Sequence, residues 1–221
     1  HCVTRRQRQM CIRDSPDTQD GKVHLTPANL NTMFHRSIET EFTHQQCKII
    51  FPNEFFEIHN PAFTISGYGD EGAANHLRIS KSHNEKGFEI FVYGESGFKI
   101  DRTSVKRQAL EVSKSIAFNH KLDMESTFFL KQNHEAVVEG SFHNDIVSLS
   151  NENIFIAHEK AFQNKDDLNE MLKILESKID NFQYIEISDS EIPLKDIINS
   201  YLINSQLITN GDNEMQLILP E

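Results

Sequence analysis

The sequence predicts one mixed α/β (α+β) domain, and three observations lead to this class. Segments rich in β-branched and aromatic residues alternate with segments of helical periodicity along the whole chain. No stretch rich in Pro, Gly or Ser separates one half from the other. With 221 residues, 38% of them hydrophobic, the chain is long enough to bury one sizeable core. No internal repeat is clear from the sequence alone.

The predicted strands are bounded by Gly, Asn or Asp and are rich in β-branched or aromatic residues. They cover residues 23–30, 88–93, 127–131, 145–150, 154–158, 182–187 and 215–219. Because side chains at i and i+2 of a strand share a face, a strand entered near residue 145 would present His143 and Asp145 side by side.

Helical periodicity is clearest at 165–179, where five apolar residues repeat at the spacing of one helix face. They are Leu168, Met171, Leu172, Leu175 and Ile179. Asp166 and Asp167 fall in the first turn, where negative charge is favourable. Further helices are predicted at 104–117 and 194–202.

The first residues differ from the rest of the chain. Residues 1–20 carry four arginines in an otherwise acidic protein and have no apolar periodicity. The segment MCIRDS at 10–15 looks like a translated reading frame of a sequencing adapter. We therefore predict that residues 1–18 are a non-native or disordered leader.

Charge and composition exclude several function classes. The net charge of −11 argues against nucleic acid as a partner, since phosphate binding needs a basic surface. No apolar run is long enough to cross a bilayer, and no signal peptide is visible, so no membrane partner is expected. Cys2, Cys11 and Cys47 form neither a disulfide framework nor a metal-binding spacing. A reducing, cytoplasmic location is the default expectation.

Two polar clusters interrupt the apolar pattern in the first half of the chain. His35 and Arg36 lie in the segment 31–37. Arg36 is a candidate for anion binding or a solvated charge, and His35 is part of a site or a satisfied core or surface histidine. Asp70 and Glu71 are surrounded by glycines and alanines, which would let a ligand or backbone approach closely, although a surface turn explains the same residues.

Two further polar features lie in the second half. Arg107 is a candidate anion ligand on the helix at 104–117, or a solvated helix residue. His143 and Asp145 fit a metal site, part of a catalytic site, or a polar strand entrance. No His, Cys or carboxylate follows at a zinc-ligand spacing, which disfavours the metal. Residue patterns alone leave these alternatives open.

Taken together, six motifs resemble the N-succinylarginine dihydrolase family of the guanidino-group-modifying amidinotransferase (pentein) superfamily. The longest are DGKVHLTPANLNTMFHRS at 20–37 and GDEGAANH at 69–76. The others are FVYG at 91–94, Arg107-Gln108, FHND at 142–145 and YLINSQL at 201–207. The resemblance runs from about residue 19 to the end and is weakest between about 40 and 66.

The resemblance implies a five-bladed α/β propeller, of which residues 19–221 would be a middle portion truncated at both ends. It also implies a bacterial, cytoplasmic hydrolase of arginine catabolism that acts without metal or cofactor. Its small-molecule substrate would be N2-succinyl-L-arginine, converted to N2-succinyl-L-ornithine, ammonia and carbon dioxide. A homodimer is expected of the full-length enzyme.

Carried over residue by residue, the resemblance assigns Glu71 and His143 to a Cys-His-Glu catalytic set. It assigns substrate binding to His35, Arg36, Arg107 and Asp145. A guanidinium is a poor electrophile, so a thiolate must attack its central carbon, and a histidine can then protonate the departing ammonia and activate water.

The nucleophilic cysteine of the family would lie outside this chain, so residues 1–221 alone are expected to be inactive. Cys47 resembles no nucleophile and is expected to be a buried structural thiol. Two alternatives are another guanidino-modifying pentein, such as a deiminase or amidinotransferase, and a non-catalytic domain that keeps the pocket.

Overall fold

A three-stranded unit with the order β-β-α-β occurs three times along the chain. The computed structural model describes residues 10–13, 16–63, 65, 67–94, 108–210 and 214–219. In each unit, two antiparallel strands are followed by a helical connection and a third strand parallel to the second. Helical connections are the usual way to join parallel neighbours, since a tight turn cannot. The mixed α/β class is confirmed.

The first unit contains the part of the predicted leader that the structure describes. It comprises β1 (Met10–Arg13), β2 (Val23–Pro27), α1 (Phe34–Ser37), α2 (Thr40–Ile50) and β3 (Phe56–Ile58). Strand β1 pairs antiparallel with β2, with Cys11 opposite Thr26. That residues 1–18 are a non-native or disordered leader stays a prediction.

The second and third units share the same topology and lie side by side. The second comprises β4 (His76–Ile79), β5 (Phe88–Tyr93), α3 (Leu110–Asn119) and β6 (Thr127–Lys131). After α4 (His134–Val138), the third comprises β7 (Ser148–Asn151), β8 (Ile154–His158), α5 (Lys165–Lys178) and β9 (Gln183–Ile187). Then α6 (Leu194–Ser200) leads to the hairpin β10 (Gln206–Thr209) and β11 (Met215–Ile218).

The core lies on both faces of β5. Ile90 and Val92 point into the largest apolar cluster, which also holds Phe155 and the buried face of α5. Phe91 points the other way, into a second cluster with Val112 and its neighbours on α3. This alternation follows from the two-residue period of a strand. Strand β7 contacts both β4 and β10, so the second unit, the third unit and the final hairpin are neighbours in space as they are in sequence.

Strongly patterned elements lie where the sequence predicts them. The strands at 88–93, 127–131 and 154–158 have the predicted bounds, and the helix at 165–179 ends one residue earlier. The helix predicted at 104–117 begins at Leu110 and continues to Asn119; its first four predicted residues lie outside the described residues. Within the part of the chain that is described, no helix is long and apolar enough to cross a membrane.

The strand predicted at 145–150 is wrong at its start. Asn144–Ile146 forms a short 3-10 helix, and the strand begins only at Ser148. The side chain of Asn144 donates a hydrogen bond to the hydroxyl of Ser148, which closes this turn locally instead of extending it. His143 and Asp145 therefore do not share one face of a strand.

Candidate active site

The centre of the site is the carboxylate of Glu71, which is 1% exposed. Its Oε1 accepts a hydrogen bond from Thr32 Oγ1 at 2.8 Å. Its Oε2 accepts one from Arg36 Nη1 at 2.6 Å and lies 3.0 Å from His143 Nε2. The structure thus brings together side chains from the motifs at 20–37, 69–76 and 142–145.

The surroundings of Glu71 keep it ionised. Burial alone would raise the pKa of this carboxyl group, because a charge is poorly solvated in the interior. The hydrogen bond and charge of His143, the charge of Arg36 and the hydroxyl of Thr32 outweigh burial and lower the pKa to about 2. A buried carboxylate with these partners is suited to orient a histidine and to hold a second cation.

The turn that carries Glu71 is fixed to the segment that carries Arg36. The backbone N–H of Asp70 donates to Asn29 Oδ1 at 3.0 Å, and the backbone N–H of Leu30 donates to the carbonyl of Asp70 at 3.1 Å. Gly72 follows with a φ of +71°, a conformation that favours glycine over residues with a Cβ. The acid-glycine sequence therefore places the carboxylate at a sharp turn.

His143 is held by backbone contacts on both sides. Ser141 Oγ donates to the carbonyl of His143 at 3.1 Å, and the next residue's N–H donates to Asn75 Oδ1 at 2.9 Å. The ring packs edge-on against Phe142, with centroids 5.0 Å apart. Asn75 belongs to the same short 3-10 helix that begins after Glu71. The two predicted catalytic residues are thus positioned by adjoining segments.

The four predicted substrate-binding residues lie in different environments. Arg36 is mostly buried and paired with Glu71, whereas His35 is exposed on the short helix α1. Asp145 lines an open cavity of about 390 Å³ with His76, Glu152 and others, and this lining does not include Glu71 or His143. The carbonyl of Asp145 accepts a hydrogen bond from Asn204 Nδ2 at 3.3 Å, which joins the motifs at 142–145 and 201–207. Arg107 lies outside the described residues.

Residue patterns did not single out Thr32 or Gln108, although both contact the Glu71 segment. Thr32 bonds the carboxylate, and Gln108 Oε1 accepts the backbone N–H of Glu71 at 2.8 Å. The only sequence signal was that both residues fall inside motifs of the family resemblance. Their partners lie 37 or more positions away, a distance that local periodicity cannot bridge.

Two further features of the site's chemistry are the possible metal ligands and Cys47, the one cysteine whose side chain the structure describes. Among the described residues, no group of three or more His, Cys, Asp or Glu side chains could hold a metal ion. Cys47 is buried against Leu25 in a small apolar cluster, and burial raises the pKa of its thiol. Its expected burial is confirmed, and a thiol with a raised pKa is a poor nucleophile at neutral pH.

Sequence comparison decides the family. The family model for succinylarginine dihydrolase matches residues 9–221. The chain belongs to the succinylarginine dihydrolase family. The N-succinylarginine dihydrolase of Aliivibrio fischeri is 41% identical over 215 residues, and that of Aeromonas hydrophila is 38% identical over 216. Both alignments cover 95% of this chain and 48% of the relative, so this succinylarginine dihydrolase family member spans about half the length of these relatives.

Solved structures show the same fold at low identity. The substrate-bound N-terminal domain of ArgZ, a cyanobacterial arginine dihydrolase, aligns with a TM-score of 0.55 and 12% identity over 90% of this chain and 56% of that one. Apo ArgZ aligns with a TM-score of 0.56 and 13% identity over 90% of this chain and 24% of that one. At such identity, the likeness of this family member to ArgZ concerns the fold alone.

Proposed function

We propose that the protein hydrolyses N2-succinyl-L-arginine with two waters to N2-succinyl-L-ornithine, two ammonia and carbon dioxide. The observation that carries the proposal is the buried Glu71 carboxylate with His143 and Arg36 on the same oxygen, in a chain of the succinylarginine dihydrolase family. The relatives that match it are named for this reaction. The proposal concerns the full-length protein that contains this sequence.

The proposed chemistry divides the work between His143 and a cysteine thiolate supplied by another part of the full-length protein. The thiolate adds to the guanidinium carbon, and the carbon–nitrogen bond breaks as His143 gives a proton to the departing ammonia. The neutral imidazole then takes a proton from water, which attacks the amidino carbon and displaces the thiolate. A second hydrolysis releases the second ammonia and leaves a carbamate, which decomposes to the amine and carbon dioxide.

The proposed role of Glu71 is to orient His143 and to attract the cationic guanidinium, because its lowered pKa keeps it negative across the working pH range. Asp145 is the second proposed carboxylate for the guanidinium. Arg36, Arg107 and His35 are proposed for the succinyl and α-carboxylates of the substrate, since guanidinium groups bind carboxylates bidentately. A guanidinium has five N–H donors, and in the described contacts Arg36 donates one of them, from Nη1, to the Glu71 carboxylate.

The repeated units support the finer architectural proposal. Three β-β-α-β units in succession, with β7 of the third contacting β4 of the second and β10 of the following hairpin, are suited to be consecutive blades of a five-bladed propeller. A cytoplasmic location and a homodimer of the full-length protein are part of the same proposal. Analytical ultracentrifugation of the full-length protein tests the dimer.

The test is an assay of the full-length protein with N2-succinyl-L-arginine and with free arginine, measuring ammonia and the ornithine product. We expect release of two ammonia per succinylated substrate and little reaction with arginine, which lacks the succinyl carboxylate. Preference for free arginine would favour a deiminase-type or other pentein activity. Binding of the succinylated substrate without turnover would favour a non-catalytic domain.

A further inference from the structure

The side chain of Gln108 bridges the backbone of the proposed catalytic turn to helix α3. Gln108 is 6% exposed, and its Oε1 accepts the backbone N–H of Glu71 at 2.8 Å. Its Nε2 donates to Asp70 Oδ1 at 3.1 Å and to Ser113 Oγ at 3.2 Å. One buried amide therefore contacts two successive residues of the turn and the first turns of α3.

The backbone around Gln108 reinforces the same connection. The N–H of Gly94 donates to the carbonyl of Gln108, and the N–H of Ala109 donates to the carbonyl of Gly69, both at 2.9 Å. Residues 69–71 are therefore held from one side by residues 108 and 109. From the other side, Asn29 and Leu30 bond the backbone of Asp70.

The chemistry of an amide fits this position better than that of other side chains of similar size. The oxygen faces a backbone N–H, and the nitrogen faces a carboxylate and a hydroxyl, so one group supplies the acceptor and the donors together. A leucine would leave a buried N–H and a buried carboxylate oxygen without this partner. A charged glutamate would keep the acceptor but set a second carboxylate against Asp70.

The Glu71 carboxylate makes its contacts with His143 and Arg36 at 3.0 and 2.6 Å, so small shifts of its backbone would change both. Displacements on the order of 1 Å can reduce turnover about 100-fold when they move a reacting group. We propose that Gln108 is a positioning residue that sets the placement of Glu71 against His143. The inference rests on the proposed hydrolase function.

The experiment compares Gln108→Leu and Gln108→Glu with a matched buried control, Thr127→Val, in the full-length protein. Thr127 is also buried and bonds a backbone carbonyl, that of Asp123 at 2.8 Å, so its loss lowers stability without touching the turn. For Gln108→Leu we expect kcat to fall about 10- to 100-fold with KM changed less than about 3-fold. For Thr127→Val we expect kcat within about 2-fold of the wild type at a temperature where both are folded.

The Gln108→Glu variant adds a readout that a purely structural residue would not move. A protonated glutamate keeps an acceptor and one O–H donor, which can meet Asp70, whereas the ionised form has no donor and repels Asp70. Its kcat relative to wild type is therefore expected to rise as pH falls from about 8 to 6. A third variant, Ser113→Ala, removes a neighbouring acceptor but keeps the bond to Glu71, and should lower kcat less than Gln108→Leu.

The outcomes separate this inference from the proposed function. If the folded Gln108→Leu variant keeps kcat within about 2-fold of Thr127→Val, the positioning role is overturned. If Gln108→Leu does not fold, a Gln108→Glu deficit that stays constant with pH overturns it instead. If the wild type does not hydrolyse N2-succinyl-L-arginine, the proposed function fails. In that case an unshifted ¹H–¹⁵N resonance of Glu71 in Gln108→Glu, compared with wild type, overturns the placement of Glu71 by Gln108.

Discussion

Two of the groups that histidine and carboxylate side chains form among the described residues are built in opposite ways. In the candidate active site, the carboxylate of Glu71 is buried at the centre, and His143 and Arg36 converge on it. In the other cluster, the imidazoles of His24, His59 and His120 are at the centre, and the carboxylate lies at the edge. We call this second group the histidine cluster; it consists of His24, His59, His120 and Asp20.

The contacts of the histidine cluster join the first two units. His24 Nδ1 lies 2.8 Å from His59 Nε2, and His24 Nε2 lies 2.9 Å from Asp20 Oδ1. His59 stacks on His24 and on His120, each with ring centroids 5.0 Å apart. Lys121 donates to the other oxygen of Asp20 at 2.6 Å. Positive charge on one ring therefore disfavours positive charge on the next.

The different surroundings of His59 and Glu71 determine which protonation state each group favours. Burial lowers the pKa of His59, and the charges of His24 and Lys121 add to this, while Glu57 and Asp20 oppose it. At Glu71 the cations outweigh burial, and the pKa falls to about 2. The histidine cluster thus favours a neutral imidazole at His59, whereas the candidate active site favours an ionised carboxylate at Glu71 that can bind cations.

The largest effect is expected from removing the anion at the centre of the candidate active site. Glu71→Gln keeps the shape of the side chain but loses the charge that holds His143 and Arg36. For the proposed reaction of the full-length protein, ammonia release from N2-succinyl-L-arginine, we expect kcat/KM to fall by about 100-fold or more, the usual range for a lost acid-base partner. The exposed Glu139→Gln serves as control and should leave the rate unchanged. A Glu71→Gln enzyme within 3-fold of wild type would contradict the role of this charge.

The next effect concerns stability. Arg36→Met removes a cation from a carboxylate with no exposed side-chain surface, so we expect about 1–3 kcal/mol less unfolding free energy. Lys165→Met is the matched control, because its 2.8 Å pair with Glu186 is about half exposed and worth at most about 1 kcal/mol. Urea denaturation at pH 7 measures both. Equal losses for the two variants would show that burial does not strengthen the Arg36 pair.

The pH dependence of stability separates the two clusters. A histidine whose pKa is lowered in the folded state binds fewer protons there than when unfolded, so stability is lost as pH falls below the unfolded value of about 6.5. The contribution of Glu71, whose pKa is also lowered, is complete above its ordinary value of 4.5 and is lost only as pH falls toward about 2. Mild acid should therefore reduce the contribution of the histidine cluster to stability and leave that of Glu71 unchanged.

Melting temperatures between pH 7.5 and 5.5 test this difference. His59→Gln keeps a hydrogen-bonding group but does not titrate, so it should lose less stability over this range than the wild type. His134→Gln, at an exposed histidine outside the cluster, should follow the wild-type curve. If the melting temperatures of His59→Gln and wild type fall by the same amount over this range, the loss of stability in acid does not come from the His59 imidazole.

The two clusters also show what the sequence could and could not predict. Strand β5 is predictable because its apolar run is buried on both faces, and β8 because its buried residues Phe155 and Ala157 alternate with half-buried isoleucines. Helix α2 was missed because only His44 and Cys47 are buried while Phe42 and Ile49 are exposed, so no apolar face repeats at helical spacing. Strand β4 is hard to predict because it is four residues long and its two buried residues alternate with His76 and Arg78.

The site was only partly predictable for a similar reason. Residue patterns supplied polar clusters with open alternatives, and the family resemblance selected Glu71 and His143 among them. Neither the residue patterns nor the family resemblance predicts which side chains contact Glu71. Thr32, Arg36 and His143 are 35 to 72 positions away from it in the sequence. No pattern in the sequence indicates the histidine cluster, since His24 and His120 are 96 positions apart and come together only through β2 and the end of α3.

The smallest effect is expected at Thr32, and it sharpens what holds Glu71 in place. The hydroxyl of Thr32 donates to Oε1 at 2.8 Å, but Thr32 itself is exposed, so water can replace the hydroxyl when it is removed. Arg36 and His143 still hold Oε2. We expect Thr32→Val to lower kcat about 3- to 10-fold, equivalent to about 0.7–1.4 kcal/mol, while Thr32→Ser keeps the wild-type rate. A loss as large as that of Glu71→Gln would mean that the hydroxyl, rather than Arg36 and His143, determines the orientation of the carboxylate.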